Sequence, residues 1–189
     1  MRHERGAEAT ASALFAFGYT LDVNAAIRAF RELQAQGLIR AFALGGASAL
    51  VFYTEPVLTY DLDFFVIIDA SPESLVSLQP IYQYFERKGY QVSGEQVQIG
   101  DAPVQVLVAY NPLVEEAVRN AIELPFNGET APVLSPEYLL AIALQTNRHK
   151  DRERARLLWQ QASLDENRLN DILTRHGLME QWNQLRSQM

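Results

Sequence analysis

Apolar residues recur at helical spacing near the start of the chain, where Val23, Ala26, Ile27, Phe30 and Leu33 form one stripe. Asn24 or Asp22 supplies a cap and Gly37 a stop, so the pattern predicts an amphipathic helix over 23–36. Residues 39–44 are a short apolar run of strand type leading into Gly45-Gly46, and 47–53 read as a short helix leaving that turn. A strand over 61–68 follows. Its uninterrupted run of large apolar residues from Phe64 onward marks a central strand covered on both faces.

Pro72-Glu73 opens a helical stretch over 72–88, which Pro80 breaks or kinks and Gly89 closes. Three short strands over 90–92, 96–99 and 104–108, with turns at Ser93-Gly94 and Gly100-Asp101, predict a meander. Asn111 caps a helix over 111–121 with Pro112 in its first turn. Strands over 122–126 and 130–134 flank the turn signal Asn127-Gly128 and predict a hairpin. From Ser135-Pro136-Glu137 onward strand formers become rare, and the pattern gives about four helices. The expected organisation is an α+β fold: an uncertain segment 1–20, a mixed β-sheet core flanked by helices over 21–134, and a helical C-terminal subdomain over 135–189.

Composition narrows the class. Hydrophobic residues are 48% and charged residues 21% of 189, as in ordinary soluble domains. A net charge of -7 disfavours broad, non-specific nucleic-acid binding, which draws on many cations. The absence of cysteine excludes disulfides, thiolate metal sites and cysteine nucleophiles, and makes the cytoplasm the default location. Residues 11–17 are too short an apolar stretch to span a bilayer, and no targeting segment or membrane partner is read. His3, His149 and His176 show no metal-ligand spacing, Ser71 and Ser135 precede Pro and read as caps, and Trp159 and Trp182 read as core anchors.

The chemistry concentrates in Thr59-Tyr60-Asp61-Leu62-Asp63. Two carboxylates two apart on a strand share one face, where their mutual repulsion invites a divalent cation such as Mg²⁺. Two solvated strand-end acids would leave the same trace. Gly45-Gly46 lies between a strand and a helix, where backbone N–H groups approach a phosphate, and Ser48 adds a hydroxyl. A phosphate cradle followed by an acid pair on the next strand supplies both ends of a metal–triphosphate complex.

The segment GGASALVFYTEPVLTYDLD resembles nucleotidyltransferases related to DNA polymerase β. With Ser135-Pro136-Glu137-Tyr138-Leu139 and Arg148-His149-Lys150-Asp151, the chain looks like the AbiEii-like abortive-infection toxin nucleotidyltransferases. The resemblance implies two Mg²⁺ ions held by the catalytic pair Asp61 and Asp63, and a nucleoside triphosphate bound by Gly45, Gly46 and Ser48. It implies that Thr59 supports the loop and that Arg148, Lys150 and Asp151 line the cleft from the helical side. The acceptor would be a hydroxyl of RNA or protein, in a toxin–antitoxin or phage-defence pair with an antitoxin-like protein partner. The other arginines, Arg152, Arg154 and Arg156, also fit a solvated helix face.

Two positions depart from the family pattern. Gln105 stands where a third carboxylate is expected, and an amide neither takes a proton nor adds negative charge; Asp101 or Glu95 would have to substitute. Val57 stands where related proteins often carry Arg. The alternative to a working enzyme is a catalytically reduced nucleotide-binding or protein-interaction module on the same fold.

Overall fold

In the computed structural model, residues 22–55, 57–68 and 77–188 are described. The Ala-rich start, His3, Ser71 and the Pro72-Glu73 helix start lie outside them.

The first apolar stripe forms helix α1, Val23–Ala35, capped by Asp22, whose carboxylate accepts from the Ala25 amide at 2.9 Å. Phe30 is fully buried and stacks on Phe64 with ring centroids 4.2 Å apart, and tilts against Phe42 and Phe85. That aromatic group ties α1 to strands β1 (Ala41–Gly45) and β2 (Leu62–Ile67) and to helix α3 (Gln79–Arg87). Between β1 and β2 runs the short helix α2, Gly46–Leu50. It ends earlier than its apolar pattern suggested. In α3, Pro80 falls in the first turn, where a missing N–H costs nothing, and residues 77–78 just before the helix are not helical.

The meander follows as β3 (Gln91–Ser93), β4 (Gln96–Ile99) and β5 (Ala102–Val108). Helix α4, Pro112–Arg119, is capped by the Asn111 side chain at the Val114 amide, 2.9 Å. β6 (Ile122–Phe126) and β7 (Glu129–Val133) form the hairpin around Asn127 and Gly128, both at positive φ (46° and 80°), as a two-residue turn of this kind demands. The seven strands of the described residues join one mixed sheet in the order β3-β4-β5-β2-β1-β7-β6. β2 is central, antiparallel to β1 and parallel to β5. Its alternate residues serve different layers: Phe64 and Val66 pack toward α1, while Asp63 and Phe65 face the other side.

Strands end at Val133, and four helices complete the described chain: α5 (Pro136–Thr146), α6 (His149–Gln161), α7 (Glu166–Arg175) and α8 (Met179–Arg186). Ser135 occupies the N-cap position of α5 but makes no capping bond; its hydroxyl donates to Glu137 Oε2 at 2.7 Å instead. Glu137 is buried at 5% exposure and also accepts the Asp165 amide, so the start of α5 and the cap of α7 share one carboxylate. Trp182 is buried and meets Trp159 edge-on at 4.9 Å. Among the described residues no helix is long and apolar enough to cross a membrane.

Candidate functional site

A cavity of about 400 Å³ opens where the second face of the sheet meets α5 and α6. Asp63, Phe65, Gln105 and Leu107 form its sheet wall, Leu139, Ile142 and Ala143 its α5 wall, and Arg148, Lys150, Asp151, Arg154 and Leu158 its α6 wall. Asp61 and Asp63 both line it, and so share one side of the sheet as their spacing requires.

Gly46 shapes the acid site. Its φ of +57° is a left-handed backbone that side chains rarely adopt, and a Cβ there would run into the Asp63 carboxyl group. The acid therefore lies against the turn, with a hydrogen bond from the Ala47 amide. A Cβ on Gly45 would strike the Phe65 ring, so this glycine serves close packing and does not line the cavity. Ser48 is buried at 3% exposure: its hydroxyl donates to the Gly45 carbonyl at 2.9 Å and accepts the Asp63 amide at 3.3 Å. Its contacts brace the turn. The Thr59 hydroxyl donates to the Asp61 carbonyl at 3.0 Å, holding the approach to the acids.

Burial pushes the Asp63 carboxyl up to about 6, and the Asp61 charge adds to the rise; Arg154, the Ala47 amide and Lys150 oppose it. The pair is short of positive charge at close range. Across the cavity, Asp151 is buried at 2% exposure and takes Arg148 Nε at 2.6 Å and Arg154 Nη1 at 3.4 Å. Burial alone would raise the Asp151 carboxyl, but bonds from Arg148 and Thr146 and the two arginine charges outweigh it and hold the group low. Asp151 thus organises the cationic wall, while Lys150 faces the cavity alongside.

Two cavity residues are not singled out by the sequence: Arg154, whose position also fits a solvated face, and Tyr110, which lines the cavity at 61% exposure. Helical spacing held a signal for the first: Arg154 follows Lys150 by one turn and precedes Leu158 by another. Gln105 pairs with Asp63 in register on β5, the place where a third acid would stand, whereas Asp101 and Glu95 sit in turns and do not line the cavity. Among the described residues, no three His, Asp or Glu side chains gather in a metal-binding group.

No protein-family model matches the chain, and no curated protein matches it significantly. The antibiotic-resistance factor ANT(2'')-Ia, solved in solution, aligns at 16% identity and TM-score 0.49 over 88% of this chain and 95% of its own. An antigenic nucleotidyltransferase-like protein from Paracoccidioides brasiliensis gives 15% identity and TM-score 0.48 over 68% and 70%. ANT(2'')-Ia in complex with adenylyl-2''-tobramycin gives 16% identity and TM-score 0.48 over 82% and 94%.

Proposed function

We propose that this chain is a Mg²⁺-dependent nucleotidyltransferase that moves a nucleotidyl group from a nucleoside triphosphate to an acceptor hydroxyl. One observation carries the reading: two neighbouring carboxylates, Asp61 and Asp63, face Arg148, Lys150 and Arg154 in a single cavity. Acids beside one another suit a hard divalent cation, and guanidinium and ammonium groups suit phosphate oxygens. The donor set fits such a cation. Asp63 is half-buried, carries an unfavourable charge beside Asp61, and would be relieved by a positive ion. When bound, the ion supplies charge neutralisation at the triphosphate. The family resemblance implies two ions; the acid pair, with no third acid gathered beside it among the described residues, suits one directly.

The chain's own residues divide the remaining work. Asp151 holds Arg148 and Arg154 in place, so their forks are ordered before a phosphate arrives. The Gly45–Gly46 turn and the Ser48 hydroxyl keep the acid strand registered against α2. A nucleoside triphosphate donor suits a cytoplasmic location. The AbiEii-like resemblance adds RNA or protein as acceptor and a toxin–antitoxin setting with a protein partner.

A second reading, a nucleotide-binding or interaction module without turnover, is favoured by Gln105, which offers no base beside Asp63. The two readings separate with nucleoside triphosphates labelled at the α-phosphorus. Mg²⁺-dependent transfer by wild type and its loss in Asp61→Asn and Asp63→Asn support the enzyme. Mg²⁺-dependent thermal stabilisation by nucleotide without transfer supports the module. Equal behaviour of wild type and both variants refutes a role for this acid pair. Growth arrest on expressing wild type but not Asp63→Asn would support the toxin setting, and unimpaired growth with both would contradict it.

A further inference from the structure

The sheet beyond Asp63 carries a row of uncharged polar side chains leading out of the cavity. Strand register places Asp63 opposite Gln105, Gln105 opposite Gln96, and Gln96 opposite Ser93, so all four side chains stand on one face. A second row runs beside it through Pro103, Gln98 and Gln91. The opposite face of the same strands is the core: Val97, Ile99, Val104 and Val106 are buried. Gln91, Ser93 and Gln96 are exposed, and no described helix covers them.

Over residues 90–110 there is no Lys, Arg or His, and the two charged residues, Glu95 and Asp101, are acidic. The cavity is therefore polarised. Its α6 wall carries Arg148, Lys150 and Arg154 for phosphate, while its sheet wall offers the Gln105 amide, with Gln96 next to it in register beyond the cavity, and no cation.

We propose that the glutamine rows of β3, β4 and β5 bind the acceptor, and that the acceptor is a phosphate-free, hydroxyl-rich small molecule of saccharide type. This rests on the nucleotidyltransferase reading of the same site and replaces the RNA or protein acceptor that the AbiEii-like resemblance implies. Each glutamine amide donates and accepts, matching hydroxyls that do both. RNA fits poorly, because its backbone is held by cations that this face lacks. Strands lie about 4.8 Å apart, so Gln105, Gln96 and Ser93 offer bonding groups over roughly 10 Å, the reach of a few sugar rings and far less than a protein interface needs. In the step, the acceptor hydroxyl oxygen bonds to the α-phosphorus, the bond to the bridging oxygen of pyrophosphate breaks, pyrophosphate leaves, and the hydroxyl proton passes to solvent.

The test incubates the full chain, Mg²⁺ and each of the four α-labelled ribonucleoside triphosphates with three fractions of a cell extract: RNA, protein, and the small-molecule filtrate. The expected label enters a product in the filtrate that resists nuclease and protease. In Ser93→Arg and Gln96→Arg, both exposed on the strands, half-saturation by the filtrate rises roughly tenfold while that by nucleotide stays within about twofold. Label in RNA or protein overturns this proposal and leaves nucleotidyl transfer standing, as does unchanged half-saturation by the filtrate in both variants. Label in no fraction overturns nucleotidyl transfer and this proposal with it.

Discussion

At the scale of single residues, Asp63 carries the most direct consequence. Its carboxyl is raised to about 6 by burial and by Asp61, so keeping it ionised in the metal-free fold costs roughly 1–3 kcal/mol. That cost is full well above pH 6 and fades as the folded protein takes up the proton on the way down to the ordinary carboxylate range. In chelator, Asp63→Asn is therefore expected to be more stable than wild type at about pH 8, with the gap closing by about pH 4, in urea unfolding. A variant less stable than wild type at the higher pH would refute this. Gly46→Ala should act in the opposite direction. The added Cβ meets both a left-handed backbone and the Asp63 carboxyl, so it should cost about 1–3 kcal/mol and remove metal binding, read by thermal unfolding with and without Mg²⁺. Which of these residues could be read beforehand depends on how local their signal is. The Asp61–Asp63 spacing and the Gly45–Gly46 turn are local and legible. Ser48 was assigned to phosphate because a hydroxyl after a glycine turn suits that task; its packing between the Gly45 carbonyl and the Asp63 amide depends on β2, fifteen residues away.

At the scale of elements, α6 shows where local pattern fails. Arg148, Lys150, Arg152, Arg154 and Arg156 alternate with acids, and Arg156 does pair with Glu153 as a solvated helix face would. The rotation of α6 against α5 decides the rest, bringing Asp151 into the protein with Arg154 beside it. Within α6 only Ala155 and Leu158, buried one and two helical turns on from Asp151, mark that inward face, a faint signal among so many charges. Arg154→Gln should raise the nucleotide concentration needed for half-saturation roughly tenfold with little change in folding, because a partly exposed phosphate contact is lost. Asp151→Asn should instead lower stability by about 1–3 kcal/mol, discounted for the largely exposed Arg148, and weaken nucleotide binding through both arginines. Circular dichroism melts paired with nucleotide titrations separate the two. The meander and hairpin were legible because their turns carry strong local signals, Asn127-Gly128 above all. The start of α3 was not, since Pro80 reads equally as a helix break and as a first-turn residue.

At the scale of the whole molecule, the cavity exists because the helices after Val133 are fastened to the sheet layer. Glu116 on α4 accepts from Tyr138 on α5 and from Arg175 on α7, and lies 2.8 Å from His176 Nε2. Arg175, with Tyr138 and His176, outweighs burial and holds the Glu116 carboxyl down at about 2. A depressed carboxyl contributes stability above its ordinary 4.5 and loses it as pH falls from there to about 2. Glu116→Gln should thus flatten acid unfolding across that window and lower stability at neutral pH by about 1 kcal/mol, allowing for its partial exposure. The succession of strands along the chain and the helical ending were legible in outline from periodicity, but the sheet order and the fastening were not, because strand partners and the Glu116–Arg175 pair are far apart in sequence. The central claim concerns the acids themselves and is met most directly by calorimetric titration of each ribonucleoside triphosphate into wild type, Asp61→Asn and Asp63→Asn, with Mg²⁺ and with chelator. The account predicts binding by wild type only when Mg²⁺ is present and its loss in both variants. Binding of equal strength in chelator, or in either variant, would contradict it.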